Sequence, residues 1–270
     1  IALLRDQLLA HLSRIEPGIQ PLSAELRIGL ALAIDDGGNI GFAYSHTDSL
    51  YGVPIRLATE SGQGEEAPRL QLRQDRIDAR AEVTPHGEMI DKIAFRFGYA
   101  DYRHSELDPQ GAVGTTFLNK GMEARLELAQ AHRGGWTGAT GAQLVKRDFN
   151  VIGDEAFLPK NQTTQTGLFT LQQFQSGPLK FEAGARYEHS VTTASPLPSQ
   201  PQFPAQSRSF DTLSGALGAA YDFVPGWKLG LNVSRTERAP AAEELFANGP
   251  HAGTEAFEIG DPALKTERAW

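Results

Sequence analysis

Cysteine is absent from all 270 residues, which excludes disulfides and thiolate metal sites. No run of 18 apolar residues occurs, so the sequence contains no candidate membrane-spanning helix. Basic residues are outnumbered: 25 Lys and Arg against 33 Asp and Glu give a formal net charge of -8. That sign disfavours nucleic acid as a partner. Enzyme motifs are missing as well, with no Gly-x-Ser-x-Gly elbow, no Walker loop and no His-Glu-x-x-His. The chain opens at Ile1 without an initiator methionine or a leader, which implies a trimmed or mature product. At 40% hydrophobic residues the chain is too polar for a helical membrane protein. A transmembrane β-barrel stays open, because its strands are only half apolar.

What is present is alternation. Residues 1–16 form an exception: Leu4, Leu8, Leu12 and Ile15 fall at helical spacing and Pro17-Gly18 ends the pattern, predicting a short amphipathic helix in an otherwise unassigned segment 1–20. From residue 21 onward the period is two. Leu26, Ile28, Leu30, Leu32 and Ile34 share one face, as do Ile40, Phe42 and Tyr44, and Ile93, Phe95, Phe97 and Tyr99. Leu179, Phe181, Ala183, Ala185 and Tyr187 alternate with Lys180, Glu182, Arg186 and Glu188, and Trp227, Leu229, Leu231 and Val233 repeat the scheme. Successive side chains of a strand point to opposite faces, so each stretch reads as a strand with one apolar side.

The connections sort into two kinds. Turn formers occupy 35–38, 84–89, 132–135, 175–178 and 224–226; long segments lie between them at about 48–69, 103–117, 148–163, 189–209 and 236–264. In a meander every second connection lies at the same end of the sheet. Regular short/long alternation therefore predicts one trimmed and one elaborated end, the pattern of outer-membrane barrels. The expected fold is all-β: an antiparallel up-and-down meander forming part of a transmembrane β-barrel, about ten strands over 21–270, with another beginning at Arg268-Ala269-Trp270. Tyr44, Tyr99, Tyr102, Trp136, Tyr187, Tyr221, Phe223 and Trp227 near strand ends suit interfacial girdles.

The last long segment carries a specific pattern. Ser234, Arg235, Arg238, Ala239 and Pro240 are followed by Glu244, Leu245 and Phe246, and then by Gly260, Asp261, Pro262, Leu264, Lys265 and Glu267. This order and spacing resemble the TonB-dependent outer-membrane receptors. Asn248 to Thr254, Asp48 to Pro54 and Arg147 to Pro159 look like the branch associated with zinc uptake. The resemblance covers residues 22 to 270. It implies a receptor for energy-coupled uptake across the Gram-negative outer membrane. Its partners would be outer-membrane lipid and, through a plug domain, the TonB energy-transducing complex. Such receptors close about 22 strands around the plug, so the resemblance also implies that this sequence is one piece of a longer receptor.

Zinc, the first choice of ligand, is taken as transported cargo with no resident cofactor; haem or an iron chelate is second. Without cysteine, zinc wants histidine nitrogen and carboxylate oxygen. Three clusters lie near the elaborated end: His104, Glu106 and Asp108; His251, Glu255, Glu258 and Asp261; and His46 with Asp48. The candidate metal residues are His104, Glu106 and His251, the last strengthened by its place in the Asn248-Gly249-Pro250-His251 pattern. His86 and His132 lie in short turns at the wrong end, and His189 and His11 have no neighbouring cluster. Two other readings share the same strands. A passive pore lacks energy coupling. A soluble all-β binding module requires Phe95, Phe181 and Leu229 to face a second layer.

Overall fold

The computed structural model describes residues 22–34, 37–52, 69–85, 87–108, 110–153, 156–196, 203–251 (of His251 the backbone) and 256–270. The helix expected over 1–16 lies outside them. Ten long strands run in order: β1 (Leu22–Ile34), β2 (Gly38–Gly52), β3 (Arg69–Val83), β4 (Ile90–Leu107), β5 (Val113–Arg133), β6 (Trp136–Gly153), β7 (Asn161–Ser176), β8 (Leu179–Ala194), β9 (Gln206–Val224) and β10 (Trp227–Arg238). A short helix α1 (Ala242–Phe246) follows, then a small hairpin of β11 (Asn248–His251) and β12 (Ala256–Ile259), and finally β13 (Glu267–Ala269). Strands β1 to β10 pair each with the next, and β13 joins β10, giving one 11-stranded antiparallel meander.

Register carries the apolar face across the sheet. Leu30 stands opposite Phe42, Phe42 opposite Ala79, Ala79 opposite Phe97, Phe97 opposite Ala124 and Ala124 opposite Leu144. From Phe42 to Leu144 large and small side chains alternate along this row. Further on, Ala142, Leu168, Tyr187 and Leu213 form the next row, and Phe181, Ala219 and Leu231 another. These side chains have no covering layer: Phe95 is 40% exposed, Phe181 45% and Leu229 68%. A water-facing apolar surface of this extent is untenable for a soluble monomer, whereas lipid accepts it at no cost. The soluble-module reading requires these residues to be buried, and they are not.

The opposite face is polar and internally paired. Arg76 binds Asp78 at 2.6 Å and Arg125 binds Glu127 at 2.9 Å, each two residues along its own strand. Across strands, Gln173 donates to Glu182 at 2.7 Å. Gly141, directly opposite Phe169, leaves room for that ring, over which Arg125 lies at 4.0 Å.

The trimmed end is built by turn chemistry. Gly134 and Gly135 both take positive φ, 57° and 85°, which a two-residue hairpin with matching twist requires. The elaborated end departs from expectation in one respect. The segment 103–117 is mostly strand: β4 runs to Leu107 and β5 starts at Val113, leaving only 108–112 as a turn closed by Asp108 Oδ1 accepting from Ala112 N at 2.7 Å. That connection is no longer than 84–89 at the other end. β5 is 21 residues long, roughly twice the 9–11 residues that a tilted strand needs to cross a bilayer. Apolar alternation marks only the crossing portion. Beyond it the backbone ladder continues without that outward apolar alternation, and apolar side chains such as Phe117 and Phe149 turn to the interior face.

A cationic side chain in the middle of the apolar face is the direct test. Leu217→Arg, opposite Ala183 and Val233, is expected to lower the unfolding free energy of the full-length receptor in phospholipid vesicles by about 2–4 kcal/mol. Asn232→Arg, on the interior face opposite Gly218, is expected to change it by no more than about 0.5 kcal/mol. Denaturant titration of both variants measures the difference.

Candidate ligand-binding mouth

At the elaborated end the connections fold back over the interior face and bury it. Phe117 on β5, Phe149 and Val151 on β6, Ala194 on β8 and Phe210 on β9 form the floor; Phe157 and Leu158 from the β6–β7 connection and Ala242, Leu245 and Phe246 of α1 form the roof. Leu158 and Leu245 are fully buried. The helix forms where the sequence is helix-prone: Pro240 ends the ladder after β10, and Ala242 to Phe246 supply one turn. This turn folds into the interior, where Glu243 pairs with Arg147 of β6 at 2.8 Å.

Both ends of the long excursion after β10 are clamped at one residue. The Arg238 guanidinium donates to Glu244 at 2.7 and 3.0 Å and to Glu267 at 2.9 Å. Glu244 also accepts from the backbone N–H of Ala241 at 2.6 Å, closing the helix start as half of a capping box. Gly260 crosses directly over α1: a Cβ there would come within 2.8 Å of the backbone of Glu244, Leu245 and Phe246. Its N–H and that of Asp261 donate to Ala247 O at 2.7 Å and Glu244 O at 2.9 Å. The Arg-Ala-Pro, Glu-Leu-Phe and Gly-Asp-Pro groups singled out in the sequence are thus one interlocked unit.

His104 lies at the edge of this core. Its ring stacks on Phe117 with centroids 4.4 Å apart and meets Tyr102 edge-on at 5.7 Å. Phe117 in turn touches Phe149 and Phe157, both at 6.4 Å. Nδ1 of His104 is hydrogen-bonded with the Tyr102 hydroxyl at 3.1 Å. With the proton on Nδ1, Tyr102 fixes the tautomer that leaves the Nε2 lone pair for a metal. Glu106 stands opposite Leu70 at a register shift between β4 and β5. Asp108 is spent on closing its turn. The β11–β12 hairpin docks on the same core, with Asn248 N–H donating to Phe157 O at 2.7 Å. His251 ends β11, opposite Ala256; its side chain lies outside the described residues, as do Thr254 and Glu255. Among the described residues no three His, Asp or Glu side chains converge as a metal site.

Two histidines are placed differently from expectation. His46 is opposite Asp75 and shares the outward face of Phe42 and Tyr44, so it cannot join His104 in the interior. Its Nδ1 bonds Asp75 at 2.8 Å, and Tyr44 donates to the same oxygen at 2.6 Å. His189 does have partners: Asp211 at 2.9 Å, an oxygen shared with the Tyr187 hydroxyl. Asp75 and Asp211 are distant in sequence, so only register reveals these pairings. Sequence reasoning also missed Tyr102 as the partner of His104; its spacing of two residues on an extended chain was the available signal.

Glu244 gives the clamp a pH dependence. The Arg238 guanidinium, and then the Ala241 N–H, hold its carboxyl down to about 2 from an ordinary 4.5. A lowered folded value stabilises above the unfolded value and is lost as pH falls through the folded one. Anchoring of α1 is therefore expected to be complete above about pH 5 and to fade toward pH 2. Hydrogen exchange at the Leu245 and Ala247 amides, corrected for intrinsic rates, reads this. Glu244→Gln is expected to show the weakened protection already at pH 7.

Comparison with known proteins places the geometry. A family model described as TonB dependent receptor-like, beta-barrel matches residues 23–270. Among solved structures, the copper transporter OprC superposes with a TM-score of 0.71 at 14% identity, over 93% of this chain and 42% of that one. The Serratia marcescens hemophore receptor HasR, solved as a double mutant with its hemophore HasA and heme, gives 0.68 at 14% identity, over 93% and 41%. The ferric-catecholate import receptor Fiu from E. coli K12, in its open form, gives 0.64 at 12% identity, over 82% and 48%. At these identities the structural matches speak to fold, and the chain spans less than half the length of each. Together with a sheet that is apolar outside, polar inside and roofed at one end only, the match over residues 23–270 shows that this chain belongs to the TonB dependent receptor-like β-barrel family.

Proposed function

We propose that this chain forms part of the barrel of an outer-membrane receptor for energy-coupled uptake of a scarce metal nutrient, with zinc as first choice of cargo and haem or an iron chelate as second. The receptor would trap its ligand at the roofed mouth, and a plug coupled to the TonB complex would release it inward. Such a device moves its ligand and performs no covalent chemistry on it.

The observation that carries the reading is the joining of two candidate segments through one aromatic core. His104 stacks on Phe117, Phe117 touches Phe157, and Phe157 anchors the hairpin whose first strand ends in His251. From Asn248 to His251 an extended chain spans about 10 Å, so the hairpin has the reach to meet the mouth. Glu106 adds a carboxylate two residues beyond His104. A histidine pair with a carboxylate suits zinc. Selectivity among metals would then come from ligand type and geometry. OprC is a copper transporter, HasR was solved with its hemophore and heme, and Fiu is a ferric-catecholate import receptor, which keeps the second choice in view.

In the full-length receptor, His104→Ala and His251→Ala are each expected to weaken zinc binding by at least about tenfold, the equivalent of 1.4 kcal/mol, and together to abolish zinc-dependent tryptophan quenching. Quenching unchanged in the double variant removes the zinc assignment and leaves family membership intact. Haem that binds the parent and is lost in the same variants, read by its absorbance, selects the second choice. Uptake that survives collapse of the energy source identifies the passive pore instead.

A further inference from the structure

One stretch of the outward wall is polar in the middle of the apolar band. The outward positions of β7 within that band are Leu168, Thr170, Gln172 and Phe174, in register with Tyr187, Ala185, Ala183 and Phe181 on β8. The two middle positions therefore carry a hydroxyl and a primary amide. On β6 the middle outward position is Thr140, directly opposite Thr170. The neighbouring strands are apolar there, with Ala124 and Leu126 on β5, Ala183 and Ala185 on β8, and Leu217 and Ala219 on β9. Hydrocarbon offers polar groups no partner. Polar side chains at this depth mark a contact with something other than lipid.

The bonds inside this patch leave one group over. Gln172 Nε2 donates to Thr170 Oγ1 at 3.0 Å, Thr170 donates to the Ala139 carbonyl at 3.3 Å, and the Thr140 and Thr170 hydroxyls are 2.9 Å apart. With its proton given to Ala139, Thr170 accepts from both Thr140 and Gln172 and is saturated. Gln172 keeps its second N–H and its carbonyl oxygen, and among the described residues neither has a partner. Its oxygen lies over Gly138, where a Cβ would come within 2.7 Å of it. On the other side of Gln172 stands Ala183. Small neighbours on both flanks leave the amide open and let another wall approach closely.

The leftover group selects its partner. One free donor and one free acceptor on the same amide are what a second primary amide offers in return. Two copies inserted into one membrane in the same direction carry Gln172 at the same depth. A two-fold axis along the membrane normal then sets Gln172 against Gln172, and two reciprocal N–H···O bonds close. A foreign protein would need a matching polar group at that depth. We infer that the patch of Thr140, Thr170 and Gln172 is the contact through which two copies of the receptor associate side by side within the membrane. This inference rests on the outward face meeting lipid and is independent of the cargo.

The test uses the full-length receptor, labelled with donor or acceptor dye and reconstituted in phospholipid vesicles over a range of receptor-to-lipid ratios. Energy transfer above that of random proximity reads association, and photobleaching steps count the copies. The parent is expected to form dimers and nothing larger. Gln172→Leu, which keeps the bulk and suits lipid, is expected to weaken association about tenfold. Gln172→Asn, which keeps the amide, is expected to associate more tightly than Gln172→Leu. Gln165→Leu, on the interior face of the same strand, is expected to behave as the parent. Gel mobility of unheated samples confirms that each variant is folded. A parent that stays monomeric at every ratio, dimers unchanged by Gln172→Leu, equal weakening by the Asn and Leu variants, or association that appears only on adding an outer-membrane extract would each overturn the assignment.

Discussion

Hydrocarbon offers the backbone no hydrogen-bond partner, so every amide crossing it must be satisfied by a neighbouring strand. The pairing of β1 through β10, each with the next, is the answer to that constraint. Much else follows from it. A continuous ladder fixes side-chain period at two, and period two divides the wall into an apolar and a polar face. Because the ladder is continuous, a slip of one residue anywhere would turn a strand's whole apolar set inward. The rows running from Leu30 to Leu144 and from Ala142 to Leu213 show that no such slip occurs within the apolar band; the register shifts lie at strand ends.

The wall and the mouth are stabilised by different means. In the wall, outward side chains touch few protein atoms and are accommodated by lipid, while inward charges are neutralised locally, as in Arg76–Asp78 and Arg125–Glu127. The mouth alone resembles the interior of a soluble protein. Phe117, Phe149, Phe157, Leu158, Leu245 and Phe246 pack together, and backbone groups of the crossing segments bond one another. The ligand site proposed at the edge of this core would gain, from the stacking of His104 on Phe117, a fixed ring orientation that an open loop would not provide.

Alternation made the strands legible in the sequence, from Leu26–Ile34 to Trp227–Val233, because each apolar side chain reports directly on the face it occupies. The single turn at Ala242–Phe246 suits the helix propensity of those residues after Pro240, and its inward placement comes from the packing of Leu245 and Phe246. What was not legible depended on contacts distant along the chain. The ladder beyond the apolar band, as in 103–107 and 113–117, is held by backbone bonds that side-chain pattern does not encode. Sequence neighbourhood groups His46 with Asp48 near the elaborated end; its partner is instead Asp75 on the next strand, in line with Tyr44 on the outward face. The stacking of His104 on Phe117 joins two strands and is likewise a product of register.

The Arg238 clamp has a consequence for variation among related chains. By holding Glu244 near the departure of the excursion and Glu267 near its return, it makes the span between them a stapled ring whose ends meet regardless of what the middle does. The entropic cost of enlarging a closed ring grows only logarithmically with its size. The hairpin tip beyond Asn248 can therefore be lengthened, shortened or rewritten without disturbing the start of β13, leaving the proposed choice of ligand free to diverge on an unchanged wall.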